Sequence, residues 1–206
     1  ALSVWPIRCV VVDLAASDGW PLVVAKLRRT PELGSTPVLF IADSAEAVDR
    51  LGIVTLTPRA ATNLCRRWAE SDPLSAIALA TRQTGGETQQ SAVAGAMESW
   101  ARADSWGASQ WLAAQPAGAM RDAGVAALAR TIDDEEPDSA WRWAATIADP
   151  ARREEAMVET LTAWGKADRT AAEAALESAG SLDPATRQRL LEALQTAQAG
   201  KEVPEQ

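Results

Sequence analysis

Histidine and tyrosine are absent from this chain, and phenylalanine occurs once. Without an imidazole there is no side chain whose ordinary pKa sits near neutrality, which excludes histidine-based acid–base catalysis and His-ligated metal sites. Cysteine is scarce as well. Cys9 and Cys65 stand far apart with no metal-ligand spacing, so both are expected to be free thiols, as suits a reducing cytoplasm. Long apolar runs are missing: none reaches the roughly 18–20 residues that cross a bilayer. No basic segment followed by an apolar stretch and a small-residue cleavage site marks a secretory leader. The first residue is Ala1 rather than Met, and the expectation is a stretch of a longer polypeptide whose upstream part is a partner of this one.

Basic charge is also in short supply. Lys and Arg number 20 against 28 Asp and Glu, giving a net charge of −8. Such a chain repels phosphate backbones and anionic membranes, and Arg66-Arg67 is too short a patch to reverse that. Gly85-Gly86 lacks the lysine and spacing of a phosphate-cradling loop. Asp133-Asp134-Glu135-Glu136 lacks the spacing and glycine of a calcium loop and reads as a solvated helix cap, so no metal site is expected. These absences point away from an enzyme and toward a protein that binds other proteins or peptides.

Alanine and nine tryptophans dominate what is present. Ala favours helix because it loses no side-chain entropy there. The sequence repeats every 32 residues: Asp72, Asp104, Glu136 and Asp168 keep this interval, as do Ala76, Ala108, Ala140 and Ala172. Trp68, Trp100 and Trp164 share it, with Ile132 filling the vacant place. Trp111 and Trp143 form another register with Leu79 and Ala175, and Arg121 and Arg153 one more pair. An acid before a helix accepts from its orphan N–H groups, and proline after it, as in Asp72-Pro73 and Glu136-Pro137, suits the first helical position. A short helix A is therefore predicted after each acid. A helix B is predicted over Thr88–Ala101, Ala119–Thr131, Ala151–Gly165 and Pro184–Ala197, the last after a small insertion. A unit this small cannot bury its apolar face alone, so about four hairpins over residues 67–197 are expected to stack as a short α-solenoid. Residues 198–206 read as a polar, frayed tail. Tryptophans in register are expected in the buried seam. Trp106 and Trp141 fall outside the two registers and are the candidates for exposed partner contacts.

This pattern resembles bacterial Trp/Asp-Pro helical-hairpin repeats and, more distantly, tetratricopeptide solenoids. The resemblance is architectural and implies protein or peptide binding.

Residues 1–66 read differently. Cys9–Leu14 is a β-branched run of the kind that fills a parallel strand buried on both faces. Asp18-Gly19 marks a turn, Pro21–Arg29 a helix, Pro37–Ile41 a second strand, Ser44–Leu51 a short helix and Ile53–Leu56 a third strand. Alternation of this kind predicts an α/β segment with a partial, flavodoxin-like parallel sheet of about three strands. Val10-Val-Val-Asp13-Leu14, Asp18-Gly19-Trp20, Leu27-Arg28-Arg29 with Pro31, Thr36–Phe40 and Leu56-Thr57-Pro58 together resemble the second half of a bacterial response-regulator receiver. The resemblance implies that Asp13 is the phospho-acceptor, with Mg²⁺ as cofactor only if the receiver is active. The departures argue for a degenerate receiver: Ile41-Ala42 stands where a hydroxyl residue belongs, Thr57-Pro58 lacks the lysine, and the acidic pair of the first strand is not in this chain. The expected function is a non-catalytic interaction module in bacterial signalling, located in the cytoplasm. The alternative is a working response regulator using Asp13, with the repeats as its effector.

Overall fold

The structure, a computed structural model, describes residues 10–13, 38–41, 58–83, 85–180 and 182–199. The chain divides into two units, Ala1–Thr55 and Leu56–Gln206.

In the first unit, strands β1 (Val10–Asp13) and β2 (Val38–Ile41) pair in parallel, with Val10 opposite Val38 and Asp13 opposite Ile41. The helices predicted over Pro21–Arg29 and Ser44–Leu51, the strand predicted over Ile53–Leu56, and Cys9 lie outside the described residues. The second unit corrects the expected fold class. Its described residues, 58–196, are helical throughout and contain no strand or sheet, so the body that defines the class is all-α rather than α/β with a partial parallel sheet. The physical reason is one of scale. A β-branched run sets a local preference for extended backbone, but the class follows the helical unit, whose alanine-rich, acid-capped segments carry helical spacing.

Among the described residues the helical body runs α1 (Pro58–Ala69), α2 (Pro73–Thr81), α3 (Gly86–Ala103), α4 (Ser105–Ala113), α5 (Ala119–Ile132), α6 (Pro137–Ala145), α7 (Pro150–Ala167), α8 (Arg169–Ser178) and α9 (Pro184–Ala199). Helices α2, α4, α6 and α8 are the short A helices; α3, α5, α7 and α9 are the long B helices. Helix α1 straddles the boundary expected between residues 66 and 67. Its proline sits at the first helical position, and its buried Ala61, Cys65 and Trp68 match Val93, Met97 and Trp100 of α3, 32 residues on. It therefore packs as a B helix of the repeat.

The shared period of Trp, acid and Ala has a single local cause. The N–H of each acid closes the preceding B helix on the carbonyl four residues back: Asp72 on Trp68 at 2.9 Å, and Asp104 on Trp100, Glu136 on Ile132 and Asp168 on Trp164 at 2.7 Å. The carbonyl of the same acid opens the next A helix by accepting from the Ala four residues on, at 2.9–3.1 Å in all four units. One residue ends one helix and starts the next. The side chains of Asp72, Asp104 and Asp168 complete the corner by accepting from the N–H groups of Ser75, Gly107 and Ala171. Glu136 adopts the same backbone conformation but makes no such side-chain cap bond.

Beyond each corner, Ala76, Ala108, Ala140 and Ala172 are fully buried, and Ala80, Leu112, Ala144 and Leu176 continue the same stripe one turn later. Successive B helices pack on one another from α1 through α9, and α2, α4 and α6 each lie against the two B helices that flank them in sequence. Of the in-register tryptophans, Trp68, Trp100 and Trp164 are buried in this seam while Trp111 and Trp143 are half-buried, and the Trp100 ring lies 6.3 Å from that of Trp111. Close approach is sharpest where Gly95 of α3 meets α1; a Cβ there would stand 2.6 Å from the Thr62 carbonyl oxygen. The Thr62 hydroxyl donates to Ser91 O at 3.0 Å across the same contact.

Candidate functional site

The turn between each A and B helix is fixed by a long polar side chain in the first turn of helix B. It donates to carbonyls at or just past the end of helix A. Gln89 Nε2 reaches Thr81 O at 2.7 Å, Arg121 Nε reaches Leu112 O at 3.3 Å, and Arg153 Nη1 reaches Ile147 O at 2.9 Å. In the last unit Arg187 does the same to Leu176 O and Ala179 O, two residues later in register because of the insertion before α9. Arg121 also reaches forward to Thr146 O at 3.1 Å. The Arg121/Arg153 pair of the sequence is thus a hinge pin and not a ligand contact. Asp122 is a second pin. Fully buried, its carboxylate accepts from the N–H groups of Ala148 and Asp149 at 2.9 and 3.0 Å, holding the turn that leads into α7.

With the turns held, the first halves of α3, α5 and α7 lie side by side and leave an open groove among them. Its floor is small and apolar, from Ala94, Ala123, Ala126 and Ala156. Arg152 crosses it from α7, donating to Gln90 Oε1 of α3 at 2.7 Å and to Ala119 O at 3.2 Å. Arg130 pairs with Glu159 at 3.7 Å, and Glu87 and Glu155 complete the rim. Both charge signs therefore stand around an alanine floor. A second opening between α6, α7 and α9 has Trp141, Met157 and Leu182 on its apolar side. The bidentate Glu154–Arg189 pair stands at its edge and holds the Glu154 carboxyl below its ordinary range.

The two tryptophans expected to be exposed part company. Trp106, the second residue of α4, is 72% exposed. Trp141 is 6% exposed, and the expectation for it is corrected: it is core at the side of the second opening. Of its equivalents in the other units only Ile77 is buried, while Ser109 and Glu173 are polar and half-buried, so spacing does not place it inside. Trp106 has one apolar equivalent. Its partner 32 residues earlier, Leu74, is 57% exposed, so these two large apolar side chains stand at equivalent points of adjacent units. Asp13 closes β1 opposite Ile41. Among the described residues no group of three potential ligands is arranged to hold a metal ion, and no helix is long and apolar enough to cross a membrane. Gln90, Arg130 and Arg152 carried no sequence signal. They meet only because non-adjacent B helices converge, and Gln90 and Arg152 are 62 residues apart.

These features define a class, an all-α helical-repeat body. Comparison with known proteins finds no matching family model, no matching curated protein and no matching solved structure.

Proposed function

We propose that this protein is a non-catalytic interaction module that holds a protein or peptide partner on its helical repeats. One observation carries the reading: the groove across α3, α5 and α7, with its alanine floor and its charged walls of Arg130, Arg152 and Glu155. A stacked row of helices offers an extended surface of this kind, with small floor residues giving room for a partner's side chains. Its placement in bacterial signalling rests on the receiver-like motifs of residues 9–58. With Thr57-Pro58 standing where the activating lysine belongs, Asp13 serves there as a strand-end carboxylate and not as a phospho-acceptor.

The test uses the full chain with a photo-crosslinking residue in place of Ala126 on the groove floor. A defined protein adduct, lost when Arg152→Ala weakens the groove wall, supports the reading. A survey in cells that finds no specific adduct from this position overturns it. Incubation with a small phosphodonor and Mg²⁺ is expected to leave Asp13 unmodified.

A further inference from the structure

The corner edge, where each B helix hands over to the next A helix, is a surface distinct from the groove. Along it run the exposed acids Asp72, Asp104, Glu136 and Asp168. Three of them spend a carboxylate oxygen on the N-terminus of the helix that follows, but Glu136 does not. Its carboxylate instead accepts from the Ser105 hydroxyl of the preceding unit, at 3.5 Å. That contact brings a carboxylate with no cap bond to Ser105, the residue before the exposed Trp106. Leu74 repeats the apolar point one unit earlier. The arginines near this edge are paired with acids of their own helices, Arg102 with Glu98, Arg142 with Asp138 and Arg169 with Glu173.

An exposed indole on an acidic edge is complementary to one chemistry above others. A guanidinium stacks on the indole face and donates to carboxylates, and arginine does both at once because its charge lies in a plane of N–H donors. A membrane or nucleic acid is disfavoured by the same negative charge. We propose that this edge is a second docking surface, for a basic, arginine-bearing protein segment. An arginine of that segment stacks on Trp106 and pairs with Glu136, and an apolar side chain rests on Leu74. The proposal is independent of the groove: it names another face of the repeat body and another partner chemistry.

The experiment measures fluorescence anisotropy of labelled peptides of about a dozen residues against the full chain. One peptide repeats Arg-Ser-Leu; the others carry Lys or Glu in place of Arg. The arginine peptide is expected to bind, the lysine peptide less tightly, and the glutamate peptide not at all. Trp106→Ala is expected to weaken the arginine peptide about tenfold or more, as loss of a tryptophan anchor does. Trp106→Phe should keep most of the affinity, and Glu136→Gln should lower it and flatten its salt dependence. Circular dichroism checks that each variant is folded.

Three results overturn the proposal: no binding of the arginine peptide, equal binding of the arginine and glutamate peptides, or undiminished binding by Trp106→Ala. Self-association of the chain that disappears in Trp106→Ala also overturns it, by assigning the edge to a second copy. A groove adduct at position 126 that survives Trp106→Ala, together with any of these failures, leaves the proposed function standing and removes only this second surface.

Discussion

Cys65 shows how a single buried side chain couples to the solvent. It is fully buried in α1, and desolvation pushes its thiol up to about 12 from an ordinary 9.0. The fold therefore holds the proton that the unfolded chain gives up first. The stability this contributes is complete below about pH 9 and is lost as pH climbs from there toward the folded value. In denaturant titrations across this range, Cys65→Ala is expected to flatten the alkaline decline. In the native protein the thiol should not react with a disulfide reagent at neutral pH, and it should react at once in denaturant. Fast native labelling at Cys65 would show that α1 does not pack as described. The two tryptophans outside the registers form a second contrast at this scale. Trp141→Ala removes a buried ring and should cost about 3–5 kcal/mol, whereas Trp106→Ala should stay within about 0.5 kcal/mol of the parent. Chemical denaturation of both variants checks the pair, and equal losses would contradict the burial assigned to each.

At the scale of the elements, the corner explains why the repeat could be read from sequence. Trp68, Asp72 and Ala76, and their equivalents, are four residues apart because each interval is one helical hydrogen bond, first closing helix B and then opening helix A. Such bonds are local, so the spacing of residue types reports them directly. Contacts between helices are less legible. Gly95 looks like a weak point in α3, since glycine costs a helix interior about 1 kcal/mol relative to alanine. The structure reverses that reading, because a Cβ would meet the Thr62 backbone at 2.6 Å. Gly95→Ala is accordingly expected to destabilise by about 1–3 kcal/mol through overpacking, outweighing its helix propensity. A thermal melt at or above the parent midpoint would show that α1 and α3 lie further apart.

At the scale of the whole molecule, a row of helices held mainly by nearest neighbours should lose stability unit by unit. Ending the chain after Ala167 removes α8 and α9 and uncovers the side of α7 against which Leu190 and Leu194 are buried. The shortened protein is expected to keep the ellipticity of its remaining helices and to unfold earlier. Loss of all helical signal would mean that the body folds as one indivisible core. The first unit was less well served by its sequence. β-Branched runs placed β1 and β2 correctly and in parallel, but the class drawn from them failed, because an architecture depends on how many elements pack together and not on the preference of any one.

What the sequence determined by itself was therefore the period, the capping acids, the buried alanines and the helix boundaries to within a few residues. All of these follow from bonds between residues three or four apart. The tertiary structure alone decided that α1 belongs to the repeat body and that Trp141 is core where Trp106 is exposed. It also decided that Arg152 reaches Gln90 to bound a groove. These depend on which faces of separate helices meet, a property of burial and distance in space that spacing along the chain does not encode.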